Sequence, residues 1–269
     1  RPLVVALHGC SQNSDNLANI TEWNRLAREH NFIVLYPNQK RVNNSSNCFN
    51  WFELEDISRG SGELQSIISM VDYTIDKYNI DTTRVFVYGV SAGAAMGVAL
   101  LAVYPTYFNS GAILAGAPYK AATTKNMAFK AMFSTVNKSP KEWGELIPKD
   151  SVVSYPNLVV FHGVKDKIVD IDNSLELIEQ WSSIHNMDTT PDLISNDLLA
   201  DGVSRIVYTN NENEEKIVFY KFLHGGHVIP IDPGSGITQG GKLGAFSKDL
   251  NFFSTYHIAK EFELISSKP

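Results

Sequence analysis

Residues 89–93 read Gly-Val-Ser-Ala-Gly, a serine flanked at alternate positions by two glycines. A serine hydroxyl attacks a carbonyl only when a base takes its proton and donors receive the negative charge that develops. Small residues on either side permit the sharp turn that lifts the hydroxyl out of a sheet. On ordinary glycine and serine usage the bare pattern arises by chance in roughly one chain in ten of this size, so alone it marks only a small-residue turn. Its surroundings carry more. Arg84-Val85-Phe86-Val87-Tyr88 before it has the character of a strand, and the run from Ala94 to Leu101 after it reads as a helix. Strand, tight turn and helix in that order are the setting of a nucleophile elbow, which makes Ser91 the candidate nucleophile at a helix N-terminus.

Seven histidines compete for the role of base. Around such an elbow the acid follows a later strand and the histidine comes near the C-terminal end. His30 and His185 fall at expected helix ends, His8 and His162 precede glycines and shape loops, and His257 lies in the last expected helix as a structural residue. His224 and His227 remain, in Leu223-His224-Gly225-Gly226-His227; His227, beyond the strand end and the flexible glycines, is the better placed. The acid candidate is Asp166, three residues past a strand's last glycine, on the edge where α/β sheets form their sites. Asp170 and Asp172 are nearby alternatives whose ordinary role is to cap the next helix. Asp166 would hold the imidazole tautomer and stabilise the imidazolium.

Leu7-His8-Gly9-Cys10-Ser11-Gln12 ends the first strand, and Gly9 lets the backbone approach a substrate oxygen. The N–H groups of Cys10 and Ala92 are then the candidate oxyanion donors. Cys10 and Cys48 are the chain's two cysteines; their residue types and spacing leave open two buried thiols or a bridge. Two cysteines cannot make a four-thiolate zinc site or a disulfide-rich scaffold.

Elements must bring these residues together across 269 positions. A hydrophobic fraction of 43% with 19% charged residues supports a sizeable globular core. The net charge of −6 argues against nucleic-acid or anionic-membrane partners, which require a basic patch. No apolar run reaches the roughly 20 residues of a membrane span. Buried-strand character appears at 3–9, 32–37, 85–89, 110–115 and 157–163, with further strands at 205–209 and 217–223. Helical periodicity appears at 14–30, 62–78, 92–103, 173–185 and 248–262. This alternation predicts a three-layer α/β fold with a mostly parallel sheet. No linker divides the chain, so residues 1–269 read as one catalytic domain. A cap-like excursion is expected at 118–156 and a hairpin at 204–223, its turn at 210–214. The chain opens on Arg1-Pro2 directly before a strand, with no signal-peptide pattern, which reads as a mature or trimmed form.

The segments LHGCSQ (7–12), CFNWF (48–52), RGSGELQSIISMVD (59–72), IDTTRVFVYGVSAG (80–93), FNSGAILAGAPY (108–119), FHGVKDKIV (161–169), HGGH (224–227) and STYHIAKEF (254–262) together resemble the extracellular poly(3-hydroxybutyrate) depolymerases and related esterases of the α/β-hydrolase superfamily. The resemblance spans nearly the whole chain in order. It implies a triad of Ser91, Asp166 and His227, the Cys10 N–H in the oxyanion hole, and a Cys10–Cys48 bridge. It also implies Trp51, Phe52 and Tyr119 along the acyl-binding cleft. A bridge implies an oxidising compartment, secreted or periplasmic. After the histidine the family runs Trp-Pro-Gly-like, whereas this chain has Val228-Ile229-Pro230, a departure beside the base. Polymer-degrading members often add a linker and an adsorbing domain; neither lies within these residues, and soluble oligomers, amorphous polymer and small esters are all open as expected substrates.

The expected activity is that of a serine esterase, a polyester or hydroxyalkanoate-oligomer depolymerase, without metal or organic cofactor. Feruloyl and acetylxylan esterases share much of the pattern and are the alternative. A catalytically idle hydrolase scaffold used for binding is a lesser one, because all three triad candidates survive. A glycan-binding surface built on Trp23, Trp51, Trp143 and Trp181 is weaker still, since tryptophans so dispersed are ordinarily core or cap residues.

Overall fold

The computed structural model describes residues 1–149, 154–197 and 199–265. Eight strands form one sheet: β1 (Leu3–Leu7), β2 (Ile33–Leu35), β3 (Val85–Val90), β4 (Ser110–Leu114), β5 (Asn157–Gly163), β6 (Leu193–Asn196), β7 (Val203–Thr209) and β8 (Glu215–Phe222). Their order is β2-β1-β3-β4-β5-β8-β7-β6. Pairing is parallel from β2 through β8 and antiparallel where β7 and β6 follow. A small parallel pair, β9 (Ile229–Ile231) and β10 (Ser247–Asp249), stands apart.

Burial on both faces explains the unbroken apolar strands. In β1, Leu3, Val5 and Leu7 face one core and Val4 and Ala6 the other. The first core is completed by helices α3 (Gly62–Tyr78), α4 (Ala92–Val103) and α7 (Asp172–Ile184). The second is completed by α1 (Ser14–Thr21), α2 (Trp23–His30) and α8 (Ser254–Glu261). All twelve residues of α4 are buried, so the helix behind Ser91 is held on every side. This is the three-layer α/β arrangement anticipated from the alternation of strands and helices.

Three elements differ from expectation. The helix expected over 14–30 breaks at Glu22, which adopts left-handed backbone (φ 52°) and ends α1. Its carboxylate accepts the Gly241 N–H at 2.9 Å, so a residue 219 positions away holds the kink. The break lets Leu17 and Ile20 on one segment and Trp23 and Leu26 on the next reach the same core. The helix expected from 248 begins only at Ser254, because residues 247–249 pair with β9. Strand β6 lacked an apolar signal because it lies at the sheet's edge with mostly exposed residues. The hairpin at 204–223 is present as β7–β8. The 118–156 excursion carries α5 (Lys125–Ser134) and α6 (Pro140–Glu145), with residues 150–153 outside the described range. Trp143 of α6, wholly buried, bonds through Nε1 to Glu176 of α7 and seats the excursion on the sheet's helical layer.

Candidate active site

Ser91 stands between β3 and α4 with φ 56° and ψ −120°, a conformation seldom adopted outside glycine. Its N–H donates to Leu114 O at 2.8 Å, which stitches the turn to β4. Glycine is required on both sides by close approach. A Cβ at Gly89 would lie 2.3 Å from Gly93 O, and one at Gly93 would lie 2.4 Å from His8 O. The elbow is therefore pressed against the end of β1, beside residues 8–10.

Asp166 and His227 come from loops beyond β5 and β8, neighbours in the sheet. Val164 N donates to Phe222 O at 2.9 Å and Lys165 N to Gly225 O at 2.8 Å, sewing the two loops together. His227 Nδ1 lies 2.7 Å from Asp166 Oδ2, and its Nε2 lies 3.0 Å from Ser91 Oγ. With Nδ1–H given to the carboxylate, Nε2 is left to accept the serine proton. Residues 91, 166 and 227 thus form one unbroken hydrogen-bonded line.

The Asp166 carboxylate is shielded from solvent. Its Oδ1 accepts the N–H groups of Ile168 at 2.8 Å and Val169 at 3.0 Å. Burial alone would raise its pKa; hydrogen bonds from His162 and His227 outweigh that and hold it well below the usual carboxylate range. His162, assigned from sequence to loop shaping, is a direct neighbour of this acid. Its Nε2 faces Asp166 Oδ2 at 3.2 Å and Val169 O at 2.9 Å, two acceptors, so Nε2 carries the proton. Its Nδ1 then accepts the Ser174 hydroxyl at 2.6 Å. The available sequence signal was position: a histidine at the end of β5, four residues before the acid.

Cys10 and Ala92 both border the cavity at Ser91. Among the described residues neither N–H is taken by a carbonyl. Cys10 is bonded to Cys48, with the Cα atoms 4.2 Å apart. Ser11 N donates to Ser46 O at 2.8 Å, and Gln39 N donates to His8 Nε2 at 3.1 Å. Three ties thus bind the loop at 8–12 to the loop that carries Trp51. Preorganised amides at a helix N-terminus can receive an oxyanion without rearrangement.

Trp51 borders the cavity, with Ala95, Ala117, Met132 and Val169 among its companions. Phe52 and Tyr119 are not among them. Phe52 packs edge-on against Trp51 at 5.7 Å on the core side. Tyr119 is buried, with its hydroxyl donating to Ile57 O at 3.1 Å and its N–H to Gln180 Oε1 at 2.7 Å. Both aromatics support the wall without forming it. His224 points away, with Nε2 3.7 Å from Asp201 Oδ2. Asp170 and Asp172 serve the start of α7, Asp170 Oδ1 accepting the Asp172 N–H at 3.0 Å. Trp23, Trp143 and Trp181 are wholly buried and offer no glycan surface. Besides His162, contacts absent from the sequence reading include Met132, Ala95, Ala117 and Val169 in the cavity wall and Phe246, whose ring stands edge-on 6.2 Å from His227.

A family model described as Esterase PHB depolymerase matches residues 1–191. The chain belongs to this esterase family. A curated relative within reach of the family, poly(3-hydroxyalkanoate) depolymerase C of Paucimonas lemoignei, is 40% identical over 268 residues, 98% of this chain and 64% of that protein. The chain therefore spans just under two thirds of that relative's length. Feruloyl esterase B of Neurospora crassa is 29% identical over 240 residues, 86% of this chain and 79% of that one. Among solved structures, an acetyl xylan esterase from Aspergillus awamori matches with a TM-score of 0.76 at 23% identity, covering 84% of this chain and 83% of its own. That likeness is one of fold.

Proposed function

We propose that this chain is a serine carboxylic-ester hydrolase, working as one α/β-hydrolase catalytic domain on poly(3-hydroxybutyrate) or hydroxyalkanoate oligomers. The reading rests on the hydrogen-bonded line Asp166–His227–Ser91 beside Cys10 and Ala92, whose N–H groups no carbonyl takes among the described residues. Ser91 Oγ attacks the ester carbonyl while His227 Nε2 takes its proton. The carbonyl electrons move onto oxygen, which the Cys10 and Ala92 N–H groups receive. As the tetrahedral centre collapses, His227 gives that proton to the leaving alkoxide, and an acyl-enzyme remains. Water, deprotonated by the same imidazole, repeats the sequence and frees the acid. Asp166 holds the ring and stabilises the imidazolium at each stage.

The polyester assignment draws on the higher identity to the depolymerase than to the feruloyl esterase. The disulfide supports a secreted or periplasmic location. Ser91→Ala is expected to lower kcat on p-nitrophenyl butyrate by roughly 10⁶-fold without altering the fold, as for other triads. Wild-type rates retained by the purified variant would overturn the mechanism. Covalent labelling by a fluorophosphonate at Ser91 separates an enzyme from an idle scaffold. A panel of hydroxybutyrate oligomers, amorphous polymer, methyl ferulate and acetylated xylan tests the substrate. Turnover of the aromatic ester alone would replace the polyester assignment with the feruloyl alternative.

A further inference from the structure

We propose that Met132 of α5 is the residue that limits acyl-chain length in this site, an inference that rests on Ser91 being the nucleophile. The cavity beside Ser91 is about 20 Å³, little more than the space of one water. Its neighbouring walls leave little room for adjustment. Ala95 and Ala117 are already minimal side chains on the buried first turn of α4 and just past β4. Val169 is buried, and its N–H is bound to the acid. Trp51 is buried and braced edge-on by Phe52. Met132 alone among these is half-buried, and its side chain is long and unbranched.

The backbone beneath Met132 is fixed, so the side chain and not the helix is the adjustable part. Met132 O accepts the Asp170 N–H at 2.8 Å. Ala131 O accepts Asn173 Nδ2 at 2.9 Å. Both donors lie between the acid Asp166 and the first turn of α7, so the end of α5 is pinned to the loop that carries the acid. An acyl group lodged here meets an apolar wall, with room for a methyl or a similarly short branch before it meets Met132. A longer chain must displace the methionine, a side chain whose flexibility makes it a soft stop.

The test measures kcat/KM for p-nitrophenyl acetate, butyrate and octanoate. One methylene in an apolar pocket changes discrimination by about 10- to 200-fold. Met132→Ala is therefore expected to raise the octanoate-to-butyrate ratio by at least ~10-fold. Met132→Phe is expected to lower the butyrate-to-acetate ratio by a similar ~10-fold factor. Phe129→Ala, an exposed position on the same helix, is expected to leave both ratios unchanged. Ratios unmoved in the folded Met132 variants overturn the proposal, and if the alanine variant fails to fold, the phenylalanine variant decides alone. Opposite shifts for the two variants support it, whether or not hydroxybutyrate oligomers are turned over. An inactive oligomer assay with those shifts intact removes the polyester assignment and leaves Met132 as the limit.

Discussion

At the scale of single residues, Asp166 gathers most of the site's electrostatics. A carboxyl whose pKa in the folded protein lies below its unfolded value stabilises the fold above that unfolded value, about 3.9 for aspartate. That contribution is lost as pH falls from there toward the depressed folded value. Asp166→Asn removes the group that titrates, so unfolding free energy measured below about pH 4 is expected to fall less steeply in the variant. The same substitution favours the wrong imidazole tautomer and is expected to lower kcat by about 10⁴-fold. His162 acts through this acid as a positioning residue. His162→Phe keeps an aromatic ring but deletes the Nε2–H that faces Asp166. We expect kcat to fall by about 10- to 100-fold with little change in KM, a loss of the size seen when a hydrogen-bond partner that orients a metal-binding side chain is removed. A parallel rise in KM would instead indicate damage to the cavity.

At the scale of elements, the loop at 8–12 has little regular structure of its own and is held by attachments. The disulfide closes 38 positions of sequence, for which chain entropy gives about 4 kcal/mol of stabilisation as an upper figure. Paired Cys10→Ser and Cys48→Ser substitutions are expected to lower the Tm and, by loosening the Cys10 amide, to lower kcat more than KM is raised. Thermal unfolding and steady-state kinetics on one preparation check both. The elbow is less forgiving. Gly93→Ala places a methyl against the carbonyls of Leu7 and His8, and the expected outcome is loss of soluble protein or of activity.

At the scale of the whole molecule, buried titratable groups far from Ser91 shape the pH dependence of stability. Burial holds His185 and His257 down to about 4, and lowers His8 despite its hydrogen bond to Gly9 O. Such histidines stabilise the fold fully above about 6.5, and that contribution is lost as pH falls toward 4. Glu63 acts in the opposite sense. Burial lifts it to about 7 against the hydrogen bonds from Asn50 and Gln39, so its contribution is present at low pH and lost as pH rises toward 7. Burial and the neighbouring Glu176 raise Glu179 as well, so three lowered histidines stand against two raised glutamates, and stability rises with pH between about 4.5 and 6.5. His257→Phe, which keeps a ring against Phe252, is expected to make that rise shallower in urea unfolding at a series of pH values.

Much of the fold was legible because its signals are local. Four strands buried on both faces, β1, β3, β4 and β5, announce themselves as apolar runs, whereas β2, expected to be buried likewise, is an edge strand and only half-buried; the elbow is a contiguous pentapeptide between a strand and a helix. The order of serine, acid and histidine along the chain was legible too, since each follows a recognisable strand end. What lay beyond reach involved partners distant in number: the break at Glu22, held by Gly241, and strand β10, which exists only because β9 lies beside it.

From its own residues the chain determined the layered α/β scaffold, the elbow and the chemical types that meet there, because backbone sterics and hydrophobic period act over a few positions. Only the tertiary structure decided that His162 steadies the acid, that Tyr119 and Phe52 stand behind the cavity wall, and that Met132 reaches it. Those outcomes depend on which side chains fill a shared volume once loops from separate strands have packed, and no short stretch of sequence carries that information.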